Sequence, residues 1–112
     1  MTDLETAAIY YEAFAGRSDF GEVPFAEDLR FRGPNGEVEG AATMRPMLAG
    51  LAARHAGLVM RHQVAADGQV ISVYDFDMGL EGGPIPMAER LEIRNEEIVE
   101  MELLFDAARM AP

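Results

Sequence analysis

Three polar side chains stand where they could act on a small molecule. Glu89 lies among alternating apolar residues and is flanked on its own face by Met87 and Leu91. A carboxyl group on an apolar strand face is hard to ionise, so we expect Glu89 to favour its neutral, hydrogen-bond-donating form. Tyr10 carries the second of these polar groups, a phenolic hydroxyl. Histidine exchanges protons near neutral pH, which makes His62 a candidate general base.

Each of these residues also has a structural interpretation. His62 could be a core histidine that pairs with a neighbour such as Glu89 or Tyr74, because buried polar groups usually have partners. Tyr10 could be a packed aromatic residue with its hydroxyl at the edge of a cavity. A lone acid among apolar residues requires either a ligand or a partner such as His62 or Arg61, and both interpretations of Glu89 stay open.

The first element that positions these residues is an N-terminal helix. Thr2 and Glu5 have the spacing of a capping box, and apolar residues recur at helical intervals over residues 3–15. Ser18 is placed to cap a short further turn that ends before Pro24.

A second helix is predicted over residues 42–55, where methionine and leucine recur on one face. Pro46 lies inside this segment. A proline is tolerated in the first turn of a helix, so we expect Thr43 to be the N-cap.

The remaining chain alternates with the period of β-strands, over residues 28–32, 58–64, 70–78, 85–93 and 98–105. Met60, His62 and Val64 have the same parity and are expected on one face. On the strand 70–78, the aromatic Tyr74 and Phe76 are expected inside. The two aspartates that alternate with them are expected outside, because buried unpaired carboxylates are costly.

Helices first and consecutive hairpins afterwards predict a single α+β domain over residues 1–112. Its curved antiparallel sheet would carry the N-terminal helices and one long helix on its concave face. The cone-shaped interior would be an apolar pocket that binds a small apolar molecule. Its lining is expected to comprise Tyr10, Phe14, Phe31, Met60, Tyr74, Phe76, Met87, Met101 and Phe105.

Composition excludes several classes of function. The chain of 112 residues has no cysteine, which removes disulfides, thiolate metal sites and cysteine nucleophiles. Its net charge of −11 repels nucleic acid and anionic membrane surfaces. No stretch has the length of a membrane span, and the N-terminus lacks the pattern of a signal peptide, so the expected location is the cytoplasm.

The order of elements and several local segments resemble the nuclear transport factor 2-like superfamily, in the branch of SnoaL-like proteins, ketosteroid isomerases and limonene epoxide hydrolases. The segments that carry the resemblance are residues 25–31 (FAEDLRF), 33–34 (GP), 39–40 (EG) and 98–106 (IVEMELLFD). The resemblance implies a conical barrel, often a homodimer, with a hydrophobic pocket at its wide end. Reactions vary widely among proteins of one fold.

The resemblance places this chain's residues only partly on the known catalytic schemes. Ketosteroid isomerases combine a carboxylate base with a tyrosine and a protonated aspartate. The latter two correspond to Tyr10 and Glu89, but the position of the base is Gly33. The epoxide hydrolases use an Asp-Arg-Asp set to activate water. The aspartate on their last strand corresponds to Leu103 here, and their arginine falls near Asp75. Both schemes are therefore incomplete here.

Three hypotheses remain. The first is an isomerase, cyclase or hydrolase that needs no metal or organic cofactor, in which Tyr10 and Glu89 polarise a carbonyl and His62 moves a proton. The second is a binding module without catalysis. The third is a structural homodimer whose pocket is a residual core cavity.

Overall fold

Within residues 1–16 and 19–110, which the computed structural model describes, the chain forms two α-helices, six strands and a short 3₁₀ helix. The helices are α1 (Asp3–Phe14), α2 (Ala41–Arg54) and the 3₁₀ helix Ala107–Met110. The strands are β1 (Phe25–Gly33), β2 (Gly36–Glu39), β3 (Gly57–Ala66), β4 (Gln69–Asp77), β5 (Ile85–Arg94) and β6 (Glu97–Leu104).

The helix α1 begins with the capping box that the sequence predicts. The hydroxyl of Thr2 accepts from the amide of Glu5 at 3.1 Å, and the Glu5 carboxylate accepts from the amide of Thr2 at 2.9 Å. These contacts satisfy two amides that have no partner within the helix. The helix ends at Phe14, one residue before the predicted end. Ser18 lies outside the described residues, and the described residues 19–24 form turns.

The helix α2 begins earlier than predicted, so Thr43 is not its N-cap. Gly40 occupies the cap with a φ of 92°, and its amide donates to the carbonyl of Leu29 at 2.7 Å. Glycine adopts this backbone conformation without a steric cost, which lets the chain turn from the sheet directly into the helix. Pro46 consequently lies inside the helix, past its first turn. In the described part of the chain, no helix is long and apolar enough to cross a membrane.

The strands form one curved, open sheet in the order β2-β1-β6-β5-β4-β3. The α+β class and the helices packed on the sheet agree with the prediction. Two details differ. The sheet is mixed, because β1 and β6 pair in parallel while the other neighbours are antiparallel. The edge strand β2 was not predicted, because its four residues are mostly exposed and lack an alternating apolar pattern.

A β-bulge in β3 reverses the side-chain parity of this strand. Met60 lies opposite Tyr74, whereas His62 lies opposite the adjacent Val73, so Arg61 is an extra residue in β3. One inserted residue moves all following side chains to the other face. The predicted common face of Met60 and His62 is therefore wrong.

The strand β4 has the predicted orientation. Tyr74 and Phe76 are buried against the helices, and Asp75 lies on the outer face, where Arg61 approaches it with 3.6 Å between Nε and Oδ1. The preceding hairpin turns at Asp67 and Gly68, which both have positive φ angles, as the Asp-Gly pair predicts. The helix α1 covers the face of the sheet that carries the aromatic residues.

Candidate functional site

A carboxyl group at the centre of the sheet binds three tyrosine hydroxyls. Glu89 is 1% exposed. Its Oε1 accepts from Tyr11 at 3.0 Å and from Tyr74 at 2.9 Å, and its Oε2 accepts from Tyr10 at 3.0 Å. We call these four residues the carboxyl–tyrosine cluster. The sequence left open which group partners the lone acid Glu89, and in the structure its partners are tyrosines.

Two strands and one helix hold the cluster together. Glu89 lies in the middle of β5 directly opposite Ser72 of β4, and Tyr74 follows on the same face of β4 two residues later. Tyr10 and Tyr11 are adjacent on α1, with ring centroids 4.8 Å apart. The ring of Tyr11 packs edge-on against that of Tyr74 at 5.6 Å. The rigid elements thus fix all four side chains in position.

The burial of the cluster changes its acidity. Burial raises the pKa of Glu89 from its ordinary value of 4.5 to about 7, although the three tyrosine hydrogen bonds act in the opposite direction. Burial and the nearby charge of Glu89 raise the pKa values of Tyr10, Tyr11 and Tyr74. The tyrosines are therefore neutral at ordinary pH, and Glu89 is the group that changes its charge near neutrality.

The number of hydrogens in the cluster depends on the charge of Glu89. When Glu89 is ionised, three hydroxyl hydrogens serve three contacts, and every donor is used. When Glu89 is protonated, four hydrogens serve the same three contacts. One O–H group is then free to donate outside the cluster. Of the three tyrosines, Tyr10 and Tyr74 also line a cavity.

The cavity next to the cluster has a volume of about 310 Å³, which lies in the range of small-molecule sites. Its wall is mostly apolar, and its rim includes the exposed turn between β1 and β2 and the end of α2. It is lined by Tyr10, Phe14, Phe31, Gly33, Pro34, Asn35, Gly36, Glu37, Val38, Met44, Met47, Leu48, Leu51, Arg54, Tyr74, Phe76, Met87, Leu103, Phe105 and Met110.

Most of the predicted lining residues lie in this wall, namely Tyr10, Phe14, Phe31, Tyr74, Phe76, Met87 and Phe105. Two others lie elsewhere. Met101 is fully buried in β6, opposite Phe31 and Leu91, and Met60 packs half-buried against the core. Their side chains fill the core beside the cavity.

His62 does not join the cluster. It is exposed on the outer side of β3, because the bulge at Arg61 reverses its direction. Gln63 occupies the position opposite Ser72 instead, and its side-chain amide donates to the Ser72 hydroxyl at 3.1 Å. The predicted pairing of His62 with Glu89 or Tyr74 is therefore wrong, and so is its predicted position for proton transfer in the pocket.

Tyr11 is the member of the cluster that sequence reasoning missed. Its position next to Tyr10 on a buried helix face was visible, but two neighbouring helical residues point about 100° apart. Their hydroxyls converge because Glu89 lies between them with one oxygen for each. The sequence held two separate signals for this contact: a pair of adjacent tyrosines on a predicted helix, and a lone acid on an apolar strand.

The cavity wall also contains two positions that carry catalytic acids in the schemes of ketosteroid isomerases and limonene epoxide hydrolases but not in this chain. Gly33 and Leu103 both line the cavity and provide no ionisable group. Glu37 lies in the wall as well, but it is opposite Arg32 in the strand pairing, with 3.9 Å between Oε1 and Nε. Its side chain is exposed on the arginine's side of the sheet. Among the described residues, no group of three histidines and acids could hold a metal ion.

The fold is shared with several solved structures. A protein from Kribbella flavida aligns with a TM-score of 0.85 and 23% identity over 96% of this chain and 88% of its own. An NTF2-like protein of unknown function from Cytophaga hutchinsonii has a TM-score of 0.85 and 19% identity, with coverages of 98% and 95%. A steroid delta-isomerase from Pseudomonas aeruginosa has a TM-score of 0.77 and 20% identity, with coverages of 93% and 79%. These similarities establish the fold alone.

The sequence itself identifies the family. None of the curated proteins matches the chain significantly. The family model of the SnoaL-like domain matches residues 8–101, which include the second half of α1, the cluster and most of the cavity wall. The chain therefore belongs to the SnoaL-like domain family, and it has the fold of NTF2-like proteins.

Proposed function

We propose that this protein binds a small, mostly apolar carbonyl compound in the cavity and polarises its carbonyl group through the carboxyl–tyrosine cluster. Polarisation of a carbonyl is the first requirement of cofactor-independent isomerisation and of cyclisation through an enol. The observation that carries the proposal is that two of the three tyrosines bound to Glu89 also line the cavity, and a neutral Glu89 would leave the cluster one O–H group in surplus. Tyr10 and Tyr74 are the residues that would offer it.

The surroundings favour this chemistry. A hydrogen bond to a carbonyl oxygen strengthens as that oxygen gains negative charge, and the effect is larger where water is excluded. Tyr10 is 2% and Tyr74 is 4% exposed, so both hydroxyls lie in such an environment. Because their pKa values are raised, the tyrosines keep their protons and act as donors. The apolar wall would hold the carbon skeleton of the ligand.

A second candidate is binding without turnover, and one observation favours it. Enolisation needs a group that removes a proton from carbon. Glu37 is the one acid among the described lining residues. Its side chain pairs with Arg32 and points away from the interior, so it is not placed to remove this proton. The chain thus offers the acid for the reaction and leaves the base to a water molecule or to the ligand itself.

Two ligands that differ only in a carbonyl group test the proposal. We expect acetylnaphthalene to bind about tenfold more tightly than ethylnaphthalene near pH 6, which corresponds to one net hydrogen bond. The preference should disappear near pH 9, because ionised Glu89 takes all three tyrosine hydrogens. Titration calorimetry measures both affinities. Equal affinity near pH 6 would contradict the proposal.

Variants of the cluster provide the controls. Glu89→Gln carries two amide hydrogens and does not ionise, so it should keep the preference for the ketone at both pH values. The double variant Tyr10→Phe and Tyr74→Phe should lose it. Tyr11→Phe should keep it near pH 6, because Tyr11 is not in the cavity wall. Folding of each variant is checked by circular dichroism.

Hydrogen exchange at the methyl group of bound acetylnaphthalene separates the two candidates. An enzyme that promotes enolisation accelerates the replacement of these hydrogens by deuterium in heavy water, which proton NMR detects. Exchange that is faster with the wild type than with the double tyrosine variant supports catalysis. Tight binding without faster exchange supports the binding module.

A further inference from the structure

We propose that the ligand also carries an anionic group, such as a carboxylate, which Arg54 binds at the rim of the cavity. The inference rests on the proposed function, because the carbonyl end of the same ligand would face the tyrosines. The ligand class is then an amphipathic acid with an apolar body, a carbonyl group at one end and a carboxylate at the other.

Arg54 lies on the face of α2 that lines the cavity. Met44, Met47, Leu48 and Leu51 line the cavity and recur every three or four residues, so they form one stripe of the helix. Arg54 continues this stripe by three residues and is the last residue of α2. Its side chain belongs to the cavity wall, whereas the preceding stripe residues are apolar.

The guanidinium group of Arg54 has donors to spare. Its Nε donates to the carbonyl of Gly50 at 3.4 Å, which uses one of its five N–H groups. In residues 1–16 and 19–110, no carboxylate lies within 4 Å of Arg54. Five other arginines in this part of the chain approach acids, namely Arg30, Arg32, Arg61, Arg90 and Arg94. Arg45 and Arg109 donate to backbone carbonyls, as Arg54 does, but neither of them lines the cavity.

Arg54 is a local positive charge on a protein that is strongly negative overall. With a net charge of −11, the surface repels anions at long range. A cation at the rim of an apolar cavity, with no acid beside it among the described residues, offsets that repulsion for a ligand that reaches it. Guanidinium groups also bind carboxylates with two parallel hydrogen bonds, which fixes the orientation of the ligand.

A structural role for Arg54 makes a different prediction. A cation in the last turn of a helix interacts favourably with the helix dipole, and this effect does not depend on any ligand. Its loss would lower the stability of the protein without changing the relative affinity of two ligands that differ in charge. The comparison of matched ligands therefore separates the two roles.

The test uses an acetylnaphthyl butanoic acid and the corresponding butanamide, which have nearly the same shape. Calorimetry is performed near pH 6, where the acid is ionised and Glu89 is largely neutral. We expect the wild type to bind the acid about fivefold more tightly than the amide, and added salt to reduce this ratio. Arg54→Gln should bring the ratio close to one.

The matched control is Arg94→Gln, which removes the same charge from an exposed arginine outside the cavity wall. It should leave the ratio of the two affinities unchanged. Equal affinities in the wild type, or a ratio that survives in Arg54→Gln, would overturn the role of Arg54. If the ketone is still preferred over the hydrocarbon, the proposed function stands without it. If neither naphthyl compound binds, both proposals fail.

Discussion

The hydroxyl of Tyr11 donates to Oε1 of Glu89 at 3.0 Å across 78 positions of the chain, yet Tyr11 takes no part in the cavity wall. In the proposed function, Tyr11 would therefore act on a ligand only through Glu89. Its hydrogen bond stabilises the ionised carboxylate and opposes the effect of burial on the pKa of Glu89. This relationship connects α1 to the charge state of the sheet's central acid.

The first prediction concerns Tyr11→Phe. The loss of a donor to the carboxylate raises the pKa of Glu89 further, by about one unit for a hydrogen bond of about 1.4 kcal/mol. Because the surplus O–H group exists only when Glu89 is protonated, the preference for acetylnaphthalene over ethylnaphthalene should extend to higher pH. Affinities measured across the range from about pH 6 to about pH 9 check this. A midpoint that stays at its wild-type pH would refute the role of Tyr11.

The second prediction concerns stability. The pKa of Glu89 is about 7 in the folded protein and 4.5 ordinarily, so the folded state holds the proton more tightly than the unfolded state. The proton stabilises the fold fully below about pH 4.5, and this contribution is lost as the pH rises to about 7. The loss is roughly 3 kcal/mol, from 1.36 kcal/mol per pKa unit.

Urea unfolding of the wild type and of Glu89→Gln at several pH values measures this contribution. The wild type should lose stability relative to the variant as the pH rises through this window, because glutamine does not titrate. Glu97→Gln, at an exposed position of β6, is the control and should follow the wild type. A constant difference between the wild type and Glu89→Gln at all pH values would show that the carboxyl group titrates normally.

The third prediction concerns His62. Since His62 is exposed on the outer side of β3, His62→Ala should change the free energy of unfolding by less than about 0.5 kcal/mol. The affinity for acetylnaphthalene and the rate of its methyl-hydrogen exchange should also be unchanged. A marked loss of either would restore His62 to the site and would require β3 to pair without its bulge.

The fourth prediction concerns the outer face of the sheet, which we propose as the interface of a homodimer. Val59, Val64 and Ile71 are 64%, 62% and 45% exposed, and the strand pairing places them on one side of β3 and β4. Exposed apolar side chains that lie together often mark an interface between proteins. We expect sedimentation to show a dimer at micromolar concentration and Ile71→Glu to shift it towards monomer.

Leu80→Glu is the matched control for the dimer, because Leu80 is 39% exposed in the loop after β4 and outside this patch. It should leave the sedimentation coefficient unchanged. A wild type that sediments as a monomer would contradict the interface. A dimer that survives Ile71→Glu would place the interface on another surface.

Local patterns were sufficient for much of the fold. The capping box at Thr2 located the start of α1, because both hydrogen bonds form within one turn of the chain. The alternation in β4 predicted that Tyr74 faces the interior and Asp75 the outside. The apolar neighbours of Glu89 correctly indicated that its carboxyl group is buried, and this burial raises its pKa to about 7.

Distant contacts decided the remainder. The parallel pairing of β1 with β6 joins strands that are separated by more than sixty residues, and no local pattern encodes it. The bulge at Arg61 depends on how β3 meets β4 and changes the face of His62. The start of α2 depends on the hydrogen bond between Gly40 and Leu29.

The amino-acid sequence alone was enough to place a buried acid and an inward tyrosine on their own elements, because burial on a strand or helix follows the period of the apolar residues. It could not show that Tyr10, Tyr11 and Tyr74 meet on the two oxygens of Glu89. That convergence depends on how α1 packs across β4 and β5, and packing between elements depends on all their side chains together. The same packing leaves the cavity beside the cluster and turns Arg54 towards its rim.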